Sequence, residues 1–150
     1  MRVHRTAGFS LIEILIVLII VGIMTGLAYV RFGPAFERSR VRAAANIVAA
    51  DLQTAQILAA RERKPIVLNI NTTARTYEIT TRAADTVYLT RTMTSETDYG
   101  VDTLKSSVAA IQFYPNGITS GTVSITVATN TYSRIVTLSR AGQIRVSSGS

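Results

Sequence analysis

Gly8-Phe9-Ser10-Leu11-Ile12-Glu13-Ile14-Leu15-Ile16-Val17-Leu18-Ile19-Ile20-Val21-Gly22-Ile23-Met24 is the stretch on which the reading of this chain turns. From Ile14 to Met24 it holds only Ile, Leu, Val, Met and one Gly, and Thr25 alone interrupts it before Val30. As a helix, Phe9 to Val30 spans about 33 Å, which matches a hydrocarbon core of about 30 Å, so the run predicts a membrane-crossing helix. Ahead of it lies a short basic stretch, Met1 to Gly8, whose Arg2 and Arg5 favour a cytoplasmic N-terminus. Arg31, Arg38, Arg40 and Arg42 lie on the other side, so charge asymmetry by itself leaves the orientation open. Glu13 is the one acid in the run. An ionised residue near the centre of a membrane helix costs about 2.5–3.5 kcal/mol, and even nearer the end a carboxylate asks for a cation. On spacing alone the other reading is that Glu13 rests among lipid headgroups and pairs with nothing.

Outside that segment the composition narrows the chemistry. One hundred and fifty residues are enough for one domain with an appendage, and the mean hydropathy of +0.28 is high for a soluble protein because one segment carries the excess. Sixteen basic residues stand against 9 acidic ones, a net charge of +7, which raises nucleic acid or a membrane surface as partners. With no cysteine there is no disulfide, thiolate zinc site or cysteine nucleophile. The single histidine is His4, so a Ser-His-Asp triad or a histidine-built metal site in the folded body is excluded. No enzyme activity, cofactor or metal is expected.

Beyond Val30, Gly33 and Pro34 weaken or kink a helix that otherwise continues. Apolar residues then recur at Val41, Ala44, Ala45, Val48, Leu52, Ala55 and Ala59, the spacing of an amphipathic helix running to about Glu62. Pro65 closes it and the period changes to two. Ile66 to Ile70 and Tyr77 to Ile79 form a predicted hairpin, followed from Thr80 to Ser107 by a long polar surface loop with one short strand at Val87 to Leu89. Strands are expected again at Ile111 to Tyr114, Val123 to Val127, Ile135 to Leu138 and Ile144 to Val146, with Ala141-Gly142-Gln143 as the last turn. The expected fold class is α+β: a long N-terminal helix, half transmembrane and half amphipathic, packed on a C-terminal antiparallel β-sheet. Its segments are 1–8, 9–30, 31–64 and 65–150.

Gly8-Phe9-Ser10-Leu11-Ile12-Glu13 before an apolar helix resembles the type III signal of type IV prepilins and pseudopilins. That resemblance implies cleavage by an inner-membrane prepilin peptidase between Gly8 and Phe9 and N-methylation of Phe9. It also implies that Glu13 neutralises the terminal amine of a neighbouring subunit when helices pack into a filament. The layout of the body is similar to the GspH/FimT-type minor pseudopilins, on Arg61-Glu62-Arg63 at the helix exit, Phe113-Tyr114-Pro115-Asn116-Gly117, and Ser139-Arg140-Ala141-Gly142-Gln143-Ile144. That likeness implies a pilin-like fold and a structural role. The chain would be a single-pass inner-membrane protein with its C-terminal domain in the periplasm or outside. It would help initiate or cap a type II secretion pseudopilus or type IV pilus, with other major and minor pilins or pseudopilins as partners.

Two other functions compete. An ordinary secretory signal would cut after Gly26-Leu27-Ala28 and release a soluble exported domain starting at Tyr29. The second is DNA binding for natural transformation. Some FimT-like minor pilins bind DNA through a C-terminal Gly-Arg-x-Arg stretch, which here reads Gly142-Gln143-Ile144-Arg145 and lacks the first arginine. Without Met1 to Gly8 the balance is 14 basic against 9 acidic residues, and Thr103 to Ser150 holds Lys105, Arg134, Arg140 and Arg145 with no acid. Those four are the candidate DNA contacts. Glu96, Asp98 and Asp102 are the nearest thing to a carboxylate cluster, but they lack a calcium-loop pattern and read as a solvated loop.

Overall fold

The computed structural model describes residues 9–97 and 99–149, and for residues 27–32 the backbone alone. The expected leader 1–8, with Gly8, lies outside the described residues, as does Asp98. Two compact units are present, one ending at Phe36 and one beginning at Glu37. A single helix, α1 (Leu11–Glu62), contributes to both and carries Pro34 inside it.

In the first unit Ser10 directly precedes the first residue of the helix. Its carbonyl accepts the amides of Glu13 at 3.0 Å and Ile14 at 3.2 Å. Ser10 with Glu13 three residues on is the sequence pattern of a capping box, and an acid in the first turn meets the positive end of the helix dipole. All large apolar side chains from Leu11 to Met24 are exposed.

The second unit has a core of its own. Val41, Ala44, Ala45, Val48, Leu52, Ala55, Leu58 and Ala59 form the buried stripe of α1. Its small residues let the helix lie close to the sheets, and Leu52 and Leu58 are its largest members. Arg63, with φ of 53°, ends the helix in a left-handed residue before Pro65. Eight antiparallel strands come after it: β1 (Ile66–Asn71), β2 (Thr76–Thr81), β3 (Val87–Thr92), β4 (Thr103–Ser106), β5 (Ala110–Phe113), β6 (Val123–Ala128), β7 (Ser133–Leu138) and β8 (Ile144–Ser148). They make two four-stranded sheets, ordered β3-β2-β1-β5 and β4-β6-β7-β8. Alternation puts Ile66, Leu68, Ile70, Tyr77, Ile79, Ile111 and Phe113 of the first sheet in one apolar cluster with Val123, Ile125, Val127, Val136 and Leu138 of the second.

The α+β class holds, with the sheet in two parts. The expected long loop from Thr80 to Ser107 is corrected. That segment contains β3 and β4, and Met93, Val101 and Leu104 within it are buried. Backbone pairing draws it in: the Met93 amide donates to the Arg75 carbonyl at 2.8 Å and the Asp102 amide to the Ala128 carbonyl at 3.0 Å. Strands rich in Thr, Ser and Tyr read as loop by hydropathy, yet they can form an edge where one face is solvated.

Candidate functional site

Three places in the chain could carry function: the N-terminal helix, the basic residues of the head, and a polar cluster under its first sheet. On the helix, Phe9 is 76% exposed and Glu13 is exposed among exposed apolar side chains. Among the described residues Glu13 has no ion-pair partner. Glu13 is thus an exposed carboxylate in the first turn of a helix whose large apolar side chains from Leu11 to Met24 are also exposed. Among the described residues no helix is long and apolar enough to cross a membrane. The expected span 9–30 includes residues 27–30, whose side chains are not described.

The four candidate DNA contacts are not brought together. Lys105 on β4 pairs with Thr126, and Arg145 on β8 pairs with Thr137. Both are exposed on the outer face of the second sheet, at opposite edges. Strand spacing puts them roughly 16 Å apart. Arg140 is exposed in the β7–β8 turn. Arg134 faces the other way: it keeps step with Val136 and Leu138, and opposite Val127, on the side toward α1. There it shares a cleft with Arg38 and Arg42.

Two of the sequence signals in the body meet in space. The amide of Thr119, just after Phe113 to Gly117, donates to the Arg140 carbonyl at 2.9 Å, and the buried Thr119 hydroxyl donates to the Ser139 carbonyl at 3.1 Å. Gln56 of α1 donates Nε2 to the Gly142 carbonyl at 2.7 Å. Gly142, at φ of 82°, packs so closely that a Cβ would lie 2.3 Å from the Gly117 carbonyl oxygen. The two turns and the helix form one latch.

The third place carries no motif that the sequence alone singles out. Asp51 sits on the buried stripe of α1 and accepts hydrogen bonds from Tyr77 Oη at 2.6 Å, Arg91 Nε at 3.1 Å and Arg91 Nη2 at 3.0 Å. Arg91 also donates Nη1 to Tyr99 Oη at 3.1 Å. Burial, and then the hydrogen bond to Asp51, push the Tyr77 phenol well above its ordinary range, and the Asp51 carboxylate holds Arg91 firmly protonated. One signal was available: position 51 falls three after Val48 and four before Ala55, inside the apolar stripe. The cluster ties α1 to β2, β3 and the loop after β3. Its groups are all satisfied, and it serves structure. Among the described residues no group of three or more His, Asp or Glu could hold a metal ion.

A helix that begins in an exposed apolar segment with one acid in its first turn, and ends against antiparallel sheets, defines the type IV pilin-like class. The family model described as Type II transport protein GspH matches residues 44–142, and the prokaryotic N-terminal methylation motif matches residues 3–29. The chain belongs to the GspH family, whose members are structural subunits and not enzymes. No curated sequence relative matches it. Its fold is similar to the type IV minor pilin FimU of Pseudomonas aeruginosa, at a TM-score of 0.62 and 20% identity over 74% of this chain and 90% of that one. It is also similar to the minor pseudopilin EpsH from the type 2 secretion system of Vibrio cholerae, at 0.53 and 15% over 73% and 97%. Proteins of this class are anchored in the inner membrane and assemble with other pilins or pseudopilins.

Proposed function

We propose that this chain is a minor subunit that helps initiate or cap a type II secretion pseudopilus or a type IV pilus. Prepilin peptidase trims it between Gly8 and Phe9, Phe9 is N-methylated, and Phe9 to Val30 holds the subunit in the inner membrane until assembly. The carrying observation is Glu13 in the first turn of a helix whose large apolar side chains from Leu11 to Met24 are all exposed, in register with the methylation motif over 3–29. In a low-dielectric filament core an unpaired carboxylate is costly, and a neighbour's terminal ammonium removes that cost.

The test is incorporation. Glu13→Ala is expected to be processed at the wild-type rate and to be lost from sheared fibres, read by immunoblotting membrane and fibre fractions. Normal incorporation of that variant would remove the role given to Glu13.

A second reading, DNA contact, draws on Lys105 and Arg145, which share the outer face of the second sheet with only Ser, Thr and Ile residues paired between them. Phosphate contacts of this kind weaken with salt. Duplex binding that falls with salt and drops in Lys105→Gln/Arg145→Gln would support it, and salt-independent binding would count against it.

A further inference from the structure

The head carries a cleft of about 540 Å³ that none of the roles above uses. Arg38 and Arg42, one turn apart on α1, form one wall, and the β6–β7 turn with Arg134 at the start of β7 forms the other. The Arg38 guanidinium lies over the Tyr132 ring, 4.5 Å from its centroid, in a cation–π contact. Thr129 and Ser133 add hydroxyls to the lining. No carboxylate lines the cleft, and none pairs with the three arginines, among the described residues. Three arginine side chains line one cleft with no carboxylate among its described lining residues, so an anion entering it meets a favourable potential.

The shape of the donor set selects the anion. A carboxylate is planar and is satisfied by one bidentate arginine, whereas a phosphate group offers oxygens on several sides and suits several forks at once. Hydroxyl donors complete such a shell. We infer that Arg38, Arg42 and Arg134 form a phosphate-binding site, filled by a free phosphate ion or by the phosphate of an anionic lipid headgroup. The site lies within the unit that begins at Glu37 and does not depend on which filament the chain joins.

Isothermal titration of the full-length protein in nonionic detergent tests this, with inorganic phosphate, dihexanoyl phosphatidylglycerol and dihexanoyl phosphatidylcholine as titrants. Saturable binding of phosphate is expected, with a loss of about tenfold in Arg42→Gln/Arg134→Gln, as for removal of charge-assisted hydrogen bonds. Arg42→Lys, which keeps the charge but not the fork, should lose part of it. Lys64→Gln/Arg82→Gln removes equal charge from exposed positions outside the cleft and should change affinity by less than about twofold. Phosphatidylglycerol binding more tightly than inorganic phosphate and phosphatidylcholine would identify the lipid as the source, and the reverse order the free ion. Failure of both phosphate and phosphatidylglycerol to bind saturably would overturn the proposal. So would equal losses in the two double variants, or binding only to a duplex oligonucleotide.

Discussion

The Asp51 carboxylate accepts three hydrogen bonds from two partners beneath the first sheet, and each partner depends on it differently. Arg91 needs its charge, because a guanidinium left without a partner in a half-buried place is costly. Asp51→Asn is therefore expected to lower stability by about 2–3 kcal/mol, read from urea midpoints, and much of that loss should vanish in the background of Arg91→Met. Tyr77 needs the acceptor and the dry site. Because folding raises its pKa, its contribution is fully present below the unfolded value of about 10 and is lost as pH climbs above that. The melting temperature of the wild type should fall between pH 9 and 11 more steeply than that of Tyr77→Phe, and parallel curves would deny the coupling. At this scale the sequence was only partly legible. Glu13 stood out because an acid in an apolar run is rare, whereas Asp51 hid in a stripe read for its apolar members, and its partners lie 26 and 40 residues away.

Strands and turns obeyed their chemistry unevenly. The buried hairpin of β1 and β2 and the run from β5 to β8 were visible as alternating apolar residues bounded by Pro, Gly and Asn. The β3 strand was visible only as Val87 to Leu89 and β4 not at all, since Tyr88-Leu89-Thr90-Arg91 and Leu104-Lys105 are edge pieces whose pairing is set by long-range partners. The Phe113 to Gly117 and Ser139 to Ile144 signals were each legible as turns, but their contact was not, because it depends on the close approach at Gly142. Gly142→Ala combines a left-handed backbone with a Cβ driven against the Gly117 carbonyl. It should cost about 2–4 kcal/mol, read by thermal unfolding, and an unchanged melt would show that the latch is looser than described. The basic residues also regrouped. Charge counting grouped Arg134 with Lys105 and Arg145, but only the fold revealed that it leaves them and joins Arg38 and Arg42.

Across the whole chain, the head buries its own core, whereas the segment from Leu11 to Met24 buries none of its large apolar side chains. So large an apolar surface requires a lipid or protein environment that the chain does not itself provide, and assembly with other subunits is the function that supplies it. The decisive measurement is mass spectrometry of the N-terminal peptide of the mature protein purified from membranes. The mature chain is expected to begin at N-methylated Phe9, with Glu13 fifth. A chain beginning at Tyr29 would contradict it, because the helix that carries Glu13 would then have been discarded as a secretory signal.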